Sequence, residues 1–505
     1  MKTHSSCNAS NNSMNLQLHQ TRHLTRRHFL REGQAGLGAL ALASLMGQDG
    51  TAAPASQKQS NPLAAKVPPL VAKAKHVIYL HMAGSPPQQE LFDNKPALVK
   101  HTMQPCPDEL LEVLKKERLP FIDLKQGRPK LLGSPYKFKQ HGECGMEISE
   151  LLPHFSQHVD DIALIRSMYT DQFNHAPAQL FLYTGSPRFG GASMGSWALY
   201  GLGSENQNLP GFVVMISGGT DPSGGKSLWS SGFLPSIYQG VQCRTTGEPI
   251  LYVTNPKGIN REVRRRSLDA LRKLNELELK EFGDPETLTR INQYELAFRM
   301  QMSVPEAMNM KQEPKHIHES YGTEPGKESF ANNCLLARRL VERGVRYVQL
   351  FHYGWDMHGT GTGNDLITAM PKKCKEIDRP ISALLKDLKQ RGLLEETLVV
   401  WSGEFGRTSL NEERNGSKFL GRDHHPHCFS VWMAGGGIKG GVTHGSTDEL
   451  GYFITENKVG VHDLQATIQH LLGFNPDKMT YFYQGLGQRL IGPTDEAQIQ
   501  HALLA

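Results

Sequence analysis

Cysteine is scarce in this chain, with seven residues in 505. The six that follow Cys7 have spacings that match no zinc knuckle, and their pairing cannot be deduced from the sequence. The cysteine spacings therefore give no support to a metal site built on paired cysteines. No cysteine spacing supports redox chemistry either.

The chain also has little excess charge of either sign. Its formal net charge is +5 at pH 7. Residues 1–53 hold five basic and two acidic side chains, so about +2 remains in the rest of the chain. This small excess gives no support to nucleic-acid binding, which concentrates positive charge on one face of a protein.

Hydrophobic runs long enough to span a bilayer are not found at the N-terminus. The apolar stretch at 35–46 has about 12 residues, whereas a membrane span needs about 20. It follows Arg26 and Arg27, as in signal peptides of the twin-arginine type. We therefore expect a signal peptide and cleavage region at 1–55, no stable membrane anchor, and a periplasmic or extracellular protein. This export route generally carries folded proteins, often with a cofactor already bound.

Short apolar, β-branched runs that end in small residues recur along the chain and predict buried strands. They lie at 75–84, 161–170, 209–219, 345–354, 396–406 and 428–437. Helical segments at 329–344 and 379–392 each end in a glycine just before a strand. This alternation predicts an α/β fold whose doubly wound, mostly parallel sheet carries helices on both faces.

The same pattern predicts a single domain over residues 75–490. A linker at 56–74 precedes it, and a C-terminal tail at 491–505 follows it. A loop rich in glycine and proline, then two helices, interrupts the alternation at 220–325. We interpret this segment as an insertion or cap.

Acidic and imidazole side chains follow the predicted strands, at the edge where α/β sheets bind ligands. The candidates are Asp356, His358, Glu404, Arg407, Asp423, His424 and His444. Mixed carboxylate and imidazole ligands are typical of zinc, manganese or iron sites, whereas calcium prefers oxygen. One Asp-x-His pair alone is a weak signal. Several groups at separate strand ends together predict a metal site.

The stretch "FNHAPAQLFLYTG" places Asn174 and His175 at the start of a predicted helix. Exposed amides at a helix start favour a negative ligand. His175 could attack a phosphoryl centre, bind a metal or act as a general acid. A purely structural histidine is the alternative.

Several segments resemble the alkaline phosphatase and sulfatase superfamily, among them "EETLVVWSGEFG", "VHDLQATIQHLLG" and "HAPAQLFLYTG". More specifically, "NHAPAQ", "GEFGRT" and "GRDHH" resemble the exported sulfatase-like family catalogued as domain of unknown function 1501. That resemblance extends over nearly the whole chain after the signal. It implies the superfamily's fold and its divalent metal ions.

Positions carried over from the superfamily show departures. His175 stands where sulfatases have the cysteine that becomes formylglycine, and Gln179 stands where they have an arginine. Glu404 and Phe405 replace an Asp-His pair of the second metal site, with His424 as the nearest substitute imidazole. The resemblance places three residues at the first metal site: Asp356, His358 and His444. The acid usually found after the first strand has only displaced candidates, Glu90 and Asp93.

The leading hypothesis is an exported metal-dependent hydrolase of phosphate or sulfate esters, with Asn174, His175 and Arg407 at the reaction. Arg407 would present fork-shaped hydrogen bonds to the anion. One or two ions, zinc or manganese, would be held by Asp356, His358, Glu404, Asp423, His424 and His444. The alternative is an inactive protein of the same fold that binds a sulfated or phosphorylated glycan or joins a secreted complex. The oligomeric state stays open.

Overall fold

The computed structural model describes residues 61–117, 124, 127–251, 254–283, 285–494 and 496–505. One compact unit comprises Asn61–Ala270 with Thr289–Ala505, and Leu271–Leu288 belongs to a second unit. The predicted signal region lies outside the described residues, and the predicted domain boundaries remain predictions. Among the described residues, no helix has both the length and the apolar character needed to cross a bilayer.

The strands are numbered in chain order. They are β1 His76–Ala83, β2 Phe138–His141, β3 Met146–Ser149, β4 Ile162–Tyr169, β5 Phe212–Ser217, β6 Val241–Gln242, β7 Tyr347–Tyr353, β8 Thr397–Ser402, β9 Gly406–Arg407, β10 His424–His425, β11 Phe429–Ala434, β12 Val442–His444, β13 Ser446–Thr447, β14 Ile454–Glu456, β15 Val459–Gly460, β16 Tyr481–Tyr483 and β17 Leu486–Gln488. Each of the six strands predicted from the sequence is present.

Nine strands form the central sheet, in the order β12–β4–β11–β8–β1–β7–β5–β6, with β15 also paired to β4. Only β11 runs antiparallel to its neighbours β4 and β8, and the other pairings are parallel. The predicted mostly parallel sheet is therefore confirmed. Buried hydrophobic side chains fill both faces of its central strands, which is why these runs show no polar alternation.

The helices are likewise numbered in chain order. They are α1 Gln88–Leu91, α2 Pro96–Lys100, α3 Asp108–Glu117, α4 His175–Thr184, α5 Met194–Leu202, α6 Arg261–Phe282, α7 Pro285–Met308, α8 Lys315–Tyr321, α9 Phe330–Val341, α10 Ala369–Gln390 and α11 Val461–Leu471. The segment predicted as helical at 379–392 is only the second half of α10. The helix runs through Pro380, so this proline does not mark the helix start.

Alternate residues of β7 contact helices on opposite sides of the sheet, as the two-residue period of a strand requires. On one side, the Tyr347 hydroxyl lies 3.4 Å from Met194 Sδ in α5, and the Phe351 ring packs on Tyr183 in α4. On the other side, the His352 ring packs on Phe330 in α9. Both faces of the sheet therefore carry helices, as predicted.

Candidate metal centre

Four side chains meet at the carboxyl edge of the sheet, and we call them the imidazole cluster: His175, Asp356, His358 and His424. Asp356 and His358 lie in the loop after β7, His175 begins α4 after β4, and His424 begins β10. One donor atom from each of the four lies within 4.8 Å of the others. Residues that are far apart in sequence converge because parallel strands end at the same edge.

Asp356 Oδ1 lies at the centre of the imidazole cluster. The Nε2 atom of His358 is 2.9 Å away, that of His175 3.2 Å, and that of His424 3.3 Å. The carboxylate side chain keeps 34% of its surface exposed, whereas the His358 and His424 side chains keep 7% each. Three imidazole nitrogens thus surround one carboxylate oxygen, on a side chain that solvent can reach.

The other ring nitrogen of each histidine, Nδ1, lies within hydrogen-bonding distance of an oxygen atom. His175 Nδ1 lies 2.7 Å from Glu404 Oε1, and His358 Nδ1 lies 2.5 Å from Glu412 Oε2. His424 Nδ1 lies 2.7 Å from the Phe173 carbonyl oxygen. An acceptor at Nδ1 favours the tautomer whose bare Nε2 serves as a metal ligand.

The donor set fits a divalent transition metal. Three nitrogens and one carboxylate oxygen match the ligands and the number that zinc uses. His175 Nε2 is buried and forms no hydrogen bond of ordinary geometry among the described residues, although Asp356 Oδ1 lies 3.2 Å away. Buried polar atoms are nearly always satisfied, so an unsatisfied one aimed at the cluster is consistent with a cation there.

Burial and neighbouring charges shift the pKa values of the cluster residues in different directions. Burial alone would raise the pKa of Asp356, but the Arg407 guanidinium and the imidazole contacts hold it well below its usual range. Burial lowers the pKa of His424 to about 3, and the charge of Arg407 acts in the same direction. Burial also opposes a proton on His175, but contacts with Asp356 and Glu404 raise its pKa to about 9. His424 is thus neutral at pH 7, whereas His175 must lose a proton to bind a cation.

The sequence predicted that Arg407 would present fork-shaped hydrogen bonds to a substrate anion. In the structure its guanidinium does not point toward solvent. Its side chain is fully buried, and its nitrogens donate to the carbonyl oxygens of Ser85 at 3.1 Å, Arg422 at 3.0 Å and Gly84. The remaining contact is an ion pair with Asp356. Arg407 therefore orients the carboxylate at the centre of the cluster, because its guanidinium is enclosed by the polypeptide.

Glu404, predicted as a metal ligand, lies behind His175 and outside the imidazole cluster. Besides the His175 ring, its Oε1 accepts from the Gly84 amide at 3.0 Å and the Gln179 side chain at 3.1 Å. Its Oε2 lies 3.3 Å from His81 Nε2. These contacts hold the pKa of Glu404 well below its usual range despite the opposing effect of burial. Its carboxylate fixes the ring of His175.

Asp423 belongs to a second, adjoining group with His358 and Glu412. Asp423 Oδ2 is buried and has no hydrogen-bond partner within the described part of the chain. Burial, with the nearby charge of Glu412, raises the pKa of Asp423 to about 6. The sequence prediction missed Glu412, which lies in an irregular loop between β9 and β10. The only signal in the sequence was the position of Glu412 between the motifs "GEFGRT" and "GRDHH".

Asn174 and His444, the remaining predicted site residues, occupy different places. Asn174 precedes α4 as its capping residue, with an exposed side chain that makes no capping hydrogen bond. His444 ends the edge strand β12, level with Ile165 and four residues before β4 ends. The structure therefore places Asn174 beside the cluster and leaves His444 outside both groups of ligand atoms.

The variant Glu412→Gln tests whether the contact of Glu412 with His358 Nδ1 contributes to metal binding. We expect a 10- to 100-fold loss of metal affinity, because a neutral amide makes a weaker partner for the ring and a poorer ligand. Affinity is measured by competition with a chelating dye at one equivalent of metal. Glu413→Gln is the control, since its carboxylate pairs with Lys130 at 3.0 Å. Equal affinities in the two variants would contradict the assignment.

Comparison with solved structures finds, among others, three enzymes that match this chain at low sequence identity. A lipoteichoic acid synthase from Listeria monocytogenes is 10% identical, with 86% of this chain and 80% of that chain covered and a TM-score of 0.34. A sulfatase from Pseudoalteromonas sp. is 12% identical, with 79% and 68% covered and a TM-score of 0.34. The alkaline phosphatase of the Antarctic bacterium TAB5 is 11% identical, with 72% and 92% covered and a TM-score of 0.29.

No curated protein matches this sequence. One family model, described as a protein of unknown function, DUF1501, matches residues 74–503. The match covers most of the described residues, including every member of the imidazole cluster. It confirms the family resemblance predicted from the sequence motifs. The chain belongs to the DUF1501 family.

Proposed function

We propose that this chain is an exported, metal-dependent hydrolase of phosphate or sulfate esters. The observation that carries the proposal is the convergence of three imidazole Nε2 atoms on Asp356 Oδ1, each ring held by an acceptor at Nδ1. Stability alone does not require four polar side chains at a solvent-accessible sheet edge, because burying them costs free energy. The sequence resemblance supports placing the family in the alkaline phosphatase and sulfatase superfamily.

The imidazole cluster would hold the first ion, with zinc or manganese the best match to its ligands. In the adjoining group of His358, Glu412 and Asp423, the two carboxylates would hold a second ion, because the lone pair of His358 Nε2 serves the first ion. A divalent cation bound there would polarise the ester oxygen as a Lewis acid. Glu404 and Arg407 would keep His175 and Asp356 in their ligating orientations.

His175 occupies the position where the superfamily presents its nucleophile. Its ring faces Glu404 with one nitrogen and Asp356 with the other, so neither nitrogen is directed at an incoming ester. We therefore assign it a ligand role and expect water to be the attacking group. The positive end of the α4 dipole and the exposed Asn174 amide would orient the anionic oxygens of the substrate.

The proposed substrate class and location rest on the sequence alone. The twin-arginine pattern around Arg26 and Arg27 supports export, and an exported ester hydrolase meets sulfated or phosphorylated glycans. A protein that carries metal but hydrolyses no phosphate monoester, phosphodiester or sulfate ester would instead favour the binding-protein alternative. The absence of a hydroxyl or thiol side chain at the start of α4 is the observation that keeps this alternative open.

Elemental analysis of protein purified without chelator tests the proposal. We expect at least one zinc or manganese ion per wild-type chain. His424→Ala should lose the ion on dialysis, because it removes one of three imidazole ligands. His444→Ala should retain it, since that histidine lies on the edge strand β12. A wild-type protein without metal would remove the basis of the proposal.

A further inference from the structure

A cavity of about 1050 Å³ lies on the side of the sheet covered by α9 and α10. It opens at the carboxyl ends of β5 and β7, where Ser217 and His352 contribute to its wall. Its lining also includes charged side chains of both signs, such as Lys375 and Glu150. The volume is at the upper end of the range for small-molecule sites in proteins. None of the imidazole cluster lines this cavity.

Three residues of the cavity wall form a chain of polar contacts, which we call the Ser217 triad: Ser217, His352 and Glu376. Ser217 and His352 are direct neighbours on β5 and β7. Ser217 Oγ lies 3.1 Å from His352 Nδ1, and His352 Nε2 lies 2.9 Å from Glu376 Oε2. This order of hydroxyl, imidazole and carboxylate is the arrangement that activates a serine nucleophile.

Proton positions in the triad follow from its charges. Burial lowers the pKa of His352, so the ring is neutral at pH 7. Burial opposes ionisation of Glu376, but the contacts with His352 and Lys373 lower its pKa to about 2. The Glu376 carboxylate 2.9 Å from Nε2 favours the tautomer with its proton on that nitrogen, although the contact lacks hydrogen-bond geometry, and this tautomer leaves Nδ1 as an acceptor for Ser217. The Ser217 hydroxyl has one competing acceptor, the Phe351 carbonyl oxygen at 3.2 Å.

Two glycines directly follow Ser217, which lines the cavity although only 1% of its surface is exposed. Gly218 has a φ of 95° and Gly219 a φ of 84°, values that favour glycine. A side chain at Gly218 would meet the Tyr353 backbone at 2.7 Å, whereas one at Gly219 would meet nothing within 4 Å. The Cα of Gly219 therefore borders open space two residues from Ser217. Serine hydrolases use backbone amides near the nucleophile to stabilise an oxyanion.

We propose that the Ser217 triad is a second hydrolytic site, which cleaves carboxylic esters of polar alcohols. Ser217 Oγ bonds to the ester carbonyl carbon while its proton passes to His352 Nδ1. The carbon–oxygen bond to the alcohol then breaks, and the alcohol leaves with that proton. Water attacks the acyl-serine, gives a proton to His352 and releases the carboxylic acid, after which Ser217 regains its proton.

The substrate class follows from the groups at the cavity. A neutral carbonyl suits a serine nucleophile assisted by an imidazole base, and a wall with charges of both signs suits a polar alcohol. The triad uses no residue of the imidazole cluster, so this activity goes beyond the proposed phosphate or sulfate ester hydrolysis. The two also respond differently to a chelator, because the triad needs no metal.

A fluorophosphonate probe tests the triad in the full chain. Attack by Ser217 on phosphorus expels fluoride and leaves one phosphonyl group on the protein. We expect intact mass spectrometry to show a single adduct, mapped to Ser217, with or without EDTA. Labelling should disappear in Ser217→Ala and fall at least about 100-fold in rate in His352→Gln, because general-base assistance is lost.

Ser329→Ala is the matched control, since Ser329 lines the same cavity but accepts a hydrogen bond from the Asn332 amide at 3.1 Å. It should label like the wild type. Hydrolysis of 4-nitrophenyl butyrate should follow the same order, and melting temperatures should show that each variant is folded. An unlabelled wild type, or equal labelling of a folded Ser217→Ala variant, would overturn the proposal. Loss of phosphate or sulfate ester hydrolysis with EDTA, while labelling persists, separates the two sites.

Discussion

Asp356→Ala is expected to lower the hydrolysis of phosphate and sulfate esters by at least about 100-fold. All three imidazole Nε2 atoms lie within 3.3 Å of its Oδ1, and the variant removes the sole carboxylate of the imidazole cluster. Lewis-acid stabilisation is worth several kcal/mol, and each 1.36 kcal/mol changes a rate about tenfold. The loss also leaves the Arg407 guanidinium buried without its carboxylate, which repels a cation.

The measurement is kcat/KM on a panel of chromogenic phosphate monoester, phosphodiester and sulfate ester substrates. Chelator should bring the wild type down to the rate of Asp356→Ala, and added zinc or manganese should restore only the wild type. Asp171→Ala is the matched control, because this exposed aspartate precedes α4 and contacts Gln172 rather than the cluster. Retention of more than a tenth of the activity in Asp356→Ala would show that the cluster is not the reaction site.

The fold could be predicted because central parallel strands leave a plain signal in sequence. The segment at 345–354 is largely apolar because β7 is buried on both faces. The direction of β11 could not be predicted, since parallel and antiparallel central strands have the same composition. Continuation of α10 through Pro380 was equally hidden, because proline favours a helix start and removes a hydrogen bond from a helix interior.

For the site, the sequence could predict only which residues lie at the same edge of the sheet. Asp356, His358 and His424 were found because each follows or precedes a buried strand at the carboxyl edge. Their division into ligands and supports was not predictable, since it depends on differences of a few ångströms between side chains. Glu404 thus lies behind His175. Glu412 was missed because its loop carries no periodic pattern.

His444 shows the limit of a position carried over by resemblance. The resemblance aligned it with the late histidine of the first metal site. The edge strand β12 pairs with β4 and leaves His444 level with Ile165. The ligand atoms meet at the end of the sheet beyond Tyr169, the last residue of β4. Register along a strand therefore decides which histidine reaches the cluster, and register is set by tertiary pairing.

Glu90 provides a second large effect, this time on stability. The sequence offered it as a displaced metal ligand, but its carboxylate forms a fully buried ion pair with Arg422. The two oxygens accept from Arg422 Nε at 3.2 and 3.0 Å, and Oε1 accepts from Nη2 at 2.6 Å. The remaining Arg422 donor serves the carbonyl oxygens of Leu132 at 2.8 Å and Thr408 at 3.1 Å.

Arg422→Met is expected to lower the free energy of unfolding by about 3–5 kcal/mol, because it leaves the Glu90 carboxylate buried without a partner. The double variant Glu90→Met/Arg422→Met should lose less than this, since no unpaired charge remains. Urea unfolding followed by tryptophan fluorescence measures both. Arg266→Ala is the surface control, and it should change stability by less than about 0.5 kcal/mol because its pair with Glu262 is exposed.

The same ion pair connects stability to the metal centre. The Arg422 carbonyl oxygen accepts from Arg407 Nη1 at 3.0 Å, and Arg407 in turn pairs with Asp356. Asp423 and His424 follow Arg422 directly in the chain. Arg422→Met should therefore weaken metal binding as well as stability, whereas Arg266→Ala should change neither. A double variant that costs the sum of its single variants would show that Glu90 and Arg422 are not coupled, and the segment that carries His424 would then need another anchor.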